Sequence, residues 1–132
     1  MASGDQPRPV APREWEVEFT DEFGAWYQQQ VEELQDAIAA KVGLLTRHGP
    51  ALGRPHAETL AKMSKHPNMK ELRVVFHGDA YRILFAFDPR RVAVLLLGGR
   101  KPDEKWYKTA IPQADKLYDR LIAQLRAEGL IR

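Results

Sequence analysis

Two turn signals inside residues 70–101, KELRVVFHGDAYRILFAFDPRRVAVLLLGGRK, divide three consecutive strand patterns, which constrains the chain to an antiparallel β-meander. His77-Gly78-Asp79-Ala80 supplies the first turn, because Gly and Asp tolerate the backbone angles of a tight reversal. Asp88-Pro89-Arg90-Arg91 supplies the second, with Pro89 pre-setting φ. The strands are expected at about 70–76, 80–87 and 91–98. Pairing Phe76 with Tyr81, Val74 with Ile83 and Leu72 with Phe85 gathers the large apolar residues on one face. Pairing Phe87 with Val92, and Phe85 and Ile83 with Val94 and Leu96, extends that face.

The opposite face carries Arg73 and Arg82 on neighbouring strands, diagonally adjacent in this register and surrounded by Val75, Leu84, Ala86, Ala93, Leu95 and Leu97. Two guanidiniums in mid-sheet are costly to leave unpaired. One reading has Glu71, Asp103, Glu104 or another acid neutralise them. The other has an open concave face that takes a phosphate, which Arg binds bidentately.

At 132 residues, 44% of them hydrophobic, the chain has room for one domain with a real core. It lacks an apolar run of membrane-spanning length and the signature of a signal peptide, so neither membrane insertion nor secretion is expected. With no cysteine, thiol catalysis, disulfides and thiolate metal sites are excluded, which is compatible with the cytoplasm. The formal charge of +2 conceals a division: of 20 Lys+Arg and 18 Asp+Glu, residues 1–42 hold 3 and 9, leaving 17 and 9 for residues 43–132. The basic part contains the meander, a distribution that suits contact with a polyanion, nucleic acid ahead of membrane.

Residues 1–13, with three prolines and no periodicity, are expected to be a disordered leader, and 14–132 a single domain. Trp15-Glu16-Val17-Glu18-Phe19 alternates as a short strand that joins the same sheet. Thr20 caps a helix carrying Phe23, Trp26 and Tyr27, and a second apolar series runs through Val31, Leu34, Ile38, Val42 and Leu45 to Gly49-Pro50. Gln28-Gln29-Gln30 between them fits either a kink or a connection. Residues 50–69 read as a long basic connection with Arg54, His56, Lys62, Lys65 and His66; the His pair has too few companions for a metal site. Gly98-Gly99 reads as a flexible exit, followed by Arg100, Lys101, Lys105, Trp106, Tyr107 and Lys108. Cations interleaved with aromatic rings suit RNA, although Trp106 and Tyr107 could equally anchor the next helix. Pro112 is expected to open that helix, with Ile111, Ala114, Leu117, Tyr118, Leu121 and Leu125 on its apolar face.

These pieces in this order resemble the RelE/ParE toxin superfamily of type II toxin–antitoxin modules, specifically its HigB-like, phage-derived branch. The matching stretches are HGPALGRP at 48–55, HPNMKELR at 66–73, YRILFAFD at 81–88 with Pro89-Arg90, and Ile111-Pro112 with Ala114-Asp115. The resemblance covers about residues 14–128 and implies an α+β fold with an antiparallel sheet of about four strands. Two N-terminal helices would pack on one face, the other face staying open, and a C-terminal helix would follow. It implies a ribosome-dependent mRNA endoribonuclease that needs no metal or other cofactor, cleaving by attack of a ribose 2′-hydroxyl on the adjacent phosphate. It also implies a helix-turn-helix antitoxin as partner, with operator DNA reached only through that antitoxin. By the same resemblance Arg73 and Arg82 stabilise the phosphate and transition state, Lys70 and Lys101 transfer protons or position phosphate, and Tyr107 stacks on a base or orients the ribose. Arg54, Lys65, Arg100, Lys105, Trp106 and Lys108 would bind RNA. Some relatives use a C-terminal histidine as base, whereas the last histidine here is His77. Two further readings stay open: a gyrase-directed toxin of the ParE type, and an inactive RNA- or protein-binding module.

Overall fold

In the computed structural model, residues 14–132 are described; the leader read at 1–13 lies outside the described residues. The elements in order are β1 (Val17–Phe19), α1 (Asp21–Gln28), α2 (Glu32–His48), a 3₁₀ turn (Gly49–Ala51), β2 (Ala57–Thr59), β3 (Met69–Phe76), β4 (Asp79–Phe87), β5 (Ala93–Arg100) and α3 (Trp106–Ala127). They build an α+β fold around one sheet of five strands in the order β1-β5-β4-β3-β2. β1 runs parallel to β5 and the other pairs are antiparallel, so the sheet is mixed, with five strands rather than about four. The additional strand is β2, three residues inside what the sequence presents as a loop, too short for an alternating pattern to declare itself.

Thr20 caps α1: its Oγ1 accepts the Phe23 N–H at 3.0 Å and donates to the Leu96 carbonyl at 2.7 Å, so the cap also docks the helix on β5. The glutamine stretch is a connection between two helices. Gln30 donates to the Trp26 carbonyl and Gln35 to the Tyr27 carbonyl, each at 2.8 Å, adding side-chain donors to carbonyls that the closing turn of α1 already bonds through the Gln29 and Gln30 N–H groups. Phe23, Leu34, Ile38 and Leu45 from these helices bury against Leu72, Val74, Ile83, Phe85, Ala93 and Leu95 of the sheet.

The second face is not open. Tyr107, Ala110, Ile111, Ala114 and Tyr118 of α3 cover Met69, Leu84, Ala86, Val94 and Leu96. The helix begins at Trp106, six positions before Pro112, which sits inside it. The carbonyl that proline cannot satisfy is that of Lys108, four residues earlier, at an exposed position of the helix.

The first hairpin closes with two residues, His77 and Gly78, both at positive φ (51° and 80°), the geometry of a type I′ turn. Phe76 therefore faces Asp79, Val74 faces Tyr81, Leu72 faces Ile83, and Arg73 lies directly opposite Arg82 rather than diagonal to it. In the second hairpin Phe87 pairs with Ala93 and Phe85 with Leu95, so Val92, Val94 and Leu96 belong to the α3 face. A bulge at Leu96 restores Leu97 opposite Leu84 and Gly99 opposite Arg82. The two glycines are built into β5 rather than forming a flexible exit. A Cβ on Gly98 would lie 2.4 Å from the Trp26 ring on one face, and one on Gly99 would lie 2.8 Å from the Trp106 ring on the other.

Candidate functional site: an arginine pair on a buried glutamate

β3 alternates so that Glu71 and Arg73 point to the α3 face, where β4 contributes Arg82. The first turn of α3 reaches this part of the sheet and supplies Tyr107. Glu71 is 1% exposed and accepts two hydrogen bonds. Its Oε2 takes Arg73 Nε–H at 3.1 Å, and its Oε1 takes the Tyr107 hydroxyl at 2.6 Å. Arg82 Nε lies 3.5 Å from that same Oε1, beyond hydrogen-bond geometry, and is buried without a partner. The Arg82 side chain is 11% exposed and that of Arg73 34%. Arg82 Nη1 donates to the Tyr81 carbonyl at 3.1 Å.

One carboxylate thus serves two guanidiniums, and the cluster carries an excess positive charge. Burial, followed by the hydrogen bond to Glu71, pushes the Tyr107 hydroxyl up to about 12, while the neighbouring Arg82 pulls the other way. Tyr107 is a proton-holding group here, and its 8% exposed ring is turned inward rather than offered to a base. Lys101, its side chain 13% exposed, joins the cluster through this residue: its Nζ lies 5.1 Å from the Tyr107 ring centroid and donates to Glu104 at 2.9 Å. The Lys101 ammonium holds the exposed Glu104 carboxyl below its usual range, with lesser contributions from Arg82 and Arg73.

Arg54 stands at the rim. It bonds Glu58 on β2, which pairs in register with Glu71. That bond holds the Glu58 carboxyl below its usual range, Arg73 contributing least. Trp106 is half-buried on Gly99, the residue opposite Arg82, while Lys105 and Lys108 are exposed at the start of α3.

Three expected members lie elsewhere. Lys70 shares the parity of Leu72 and Val74, so it faces α2; its Nζ donates to the Pro50 carbonyl at 3.3 Å. Arg100 is paired with Tyr81, on the same side as Gly98, and bonds Asp79. Lys65 pairs with Asp119 on α3 at 2.5 Å, in a loop clipped to that helix by Asp115 and His66 as well. His56 and His66 take separate partners, Lys41 and Asp119. Glu71, weighed from sequence only as a counterion, is the hub; its i, i+2 spacing to Arg73 in a strand was the available signal.

Comparison with known proteins agrees with this architecture. Residues 25–119 match the family of phage-derived Gp49-like proteins. The chain is similar to two toxin candidates of Mycobacterium tuberculosis. It is 44% identical to HigB3 over 100 residues, covering 72% of this chain and 85% of the relative. To HigB2 it is 38% identical over 107 residues, 79% of this chain, and it spans only about half (53%) of that relative's length. Among solved structures, an E. coli RelE double mutant in the free state superposes with a TM-score of 0.55 at 12% identity, covering 76% of this chain and 97% of that one. RelE in the intact RelBE toxin–antitoxin complex gives 0.50 at 8% identity, covering 67% and 99%. At such identities the likeness concerns the fold alone. The chain belongs to the phage-derived Gp49-like family, with HigB homologues among its relatives, and is built on the RelE fold.

Proposed function

We propose that this protein is the toxin of a type II toxin–antitoxin module and a metal-independent endoribonuclease acting on translated mRNA. The observation that carries the reading is the arginine pair: two guanidiniums face each other across β3 and β4 over a single buried carboxylate, with donor capacity to spare. Such a pair suits an RNA phosphate whose charge grows as the 2′-hydroxyl attacks. Arg73 and Arg82 are assigned phosphate and phosphorane stabilisation. Lys101, close above the Tyr107 ring, is assigned proton transfer to the leaving 5′-oxygen, and exposed Lys105 and Lys108 the flanking backbone. The homologues named as toxin candidates and the RelBE assembly support a toxin with an antitoxin partner, of helix-turn-helix type in this reading. Among the described residues no helix is long and apolar enough to cross a membrane, and the reading places the protein in the cytoplasm with the ribosome.

A second reading, a binding module without chemistry, gains from Glu71, which neutralises half of the arginine charge. The test is induction of the wild-type chain beside Arg73→Ala, Arg82→Ala and the double variant, with new RNA 5′ ends mapped in the same cells. Growth arrest with new ends inside codons, absent in the variants, is the expected result. Cleavage that persists in Arg82→Ala removes the site assignment. Arrest without new ends points to gyrase, and folded protein without arrest leaves the binding module.

A further inference from the structure

A guanidinium is a planar fork with Nε on its inner edge and two Nη groups at its tip. Against a lone carboxylate, the usual arrangement is bidentate, with two parallel N–H bonds from one arginine. Glu71 departs from this. Arg73 gives it only Nε, on Oε2, and Arg82 turns only Nε toward Oε1. The Tyr107 hydroxyl, 2.6 Å from Oε1, fixes the carboxylate between them, and the Tyr81 carbonyl takes Nη1 of Arg82. Among the described residues, no protein acceptor is bonded to Nη2 of Arg82 or to either Nη of Arg73. The inner edges of both arginines are therefore turned to the same buried anion and their tips left for something else.

We propose, resting on the nuclease reading above, that Glu71 is a positioning residue: it holds Arg73 and Arg82 by their inner edges so that their tips converge on one phosphoryl group of RNA, and Tyr107 locks it in place. This role and simple charge neutralisation make opposite predictions. Removing the Glu71 charge makes the cluster more cationic, so anion binding strengthens. Removing its hold lets the guanidiniums turn, so chemistry weakens.

The experiment uses the full chain, wild type and Glu71→Gln, a near-isosteric change. Inorganic phosphate is titrated while the ¹⁵N-labelled Nε–H resonances of Arg73 and Arg82 are followed, and cleavage is measured in cells by mapped 5′ ends. The expected result is phosphate affinity unchanged or raised by up to about fivefold, both Nε–H resonances moved, and cleavage lowered about 100-fold, the order that misplacement of a transition-state group costs. Cleavage unchanged or raised in Glu71→Gln overturns the proposal, while its loss in Arg82→Ala would keep the nuclease reading intact. Where the wild type itself cleaves nothing, the nuclease reading fails and the spectra decide: resonances moved by Glu71→Gln support the hold, and resonances unmoved overturn it. Should Glu71→Gln fail to fold, Tyr107→Phe carries the test: a smaller loss of cleavage supports the proposal, and an unchanged rate overturns it.

Discussion

The sheet contains two arginine–carboxylate clusters whose stoichiometry is reversed. In mid-sheet, one carboxylate, Glu71, faces two guanidiniums, and a buried Arg82 N–H has no partner. At the β4–β5 turn, one guanidinium, Arg90, faces two carboxylates: Asp88 at 2.7 Å, its side chain fully buried, and Glu18 of β1 at 2.8 Å. Asp88 also accepts the backbone N–H of Arg90 at 2.8 Å and of Val92 at 3.3 Å. The Glu18 bond is the leading cause that raises the Arg90 guanidinium well above its usual value, with Asp88 adding to it. The Arg90 cluster is saturated, and it clasps the parallel strand β1 to the meander. The Glu71 cluster is undersupplied with anion, which is the condition under which a polyanionic ligand has something to gain.

The comparison can be broken by truncation. On the proposed nuclease reading, Arg82→Ala is expected to lower RNA cleavage by about 100-fold or more, the order found for a lost oxyanion donor. Its stability cost should be only about 1 kcal/mol, roughly 3 °C in Tm, because Arg73 and Tyr107 still serve Glu71. Arg90→Ala should show the reverse: about 3 kcal/mol lost in denaturant titration, since a buried Asp88 loses its cation, with cleavage per folded molecule unchanged. A variant that fails both ways in either cluster would dissolve the distinction.

Alkaline titration sharpens it. Tyr107 holds its proton to about 12 in the folded chain, against about 10 when unfolded. Its contribution is fully present below pH 10 and is lost as pH rises toward 12, so the wild type should lose about 2 kcal/mol across that window. Tyr107→Phe should flatten this part of the stability profile, read by urea unfolding at stepped pH. The smallest effect belongs to an exposed pair outside both clusters, Arg120 with Glu22 at 2.6 Å. Arg120→Ala should cost less than about 1 kcal/mol, and less still in high salt.

How far the sequence could be read depended on whether polar residues mark the alternation. In β3, Glu71 and Arg73 alternate with Leu72 and Val74, so the faces are legible even though the turn is misjudged. Giving the His77-Gly78 turn two residues too many shifts the register by two, which leaves every side chain on its proper face. In β5, the run Val92-Ala93-Val94-Leu95-Leu96-Leu97 has no polar marker, and a slip of one residue moves Val92, Val94 and Leu96 to the wrong layer. The bulge at Leu96 breaks the period again, and no alternation rule anticipates it. The arginine pair was legible for the same reason as β3. Lys70, a candidate by the resemblance and its place at the strand entry, faces the other layer, because three residues along a strand reverse the direction of a side chain.

The glycine pair of β5 has a genetic consequence. Trp26 and Trp106 lie on opposite sides of two adjacent residues, so no larger side chain fits at position 98 or 99 without displacing an indole. On the proposed toxin reading, substitutions there are expected to abolish activity through misfolding, though neither glycine bears a reactive group. In a screen for harmless alleles, the residues that name the chemistry and the residues that merely make room would be recovered side by side, and only a measurement of folding would tell them apart.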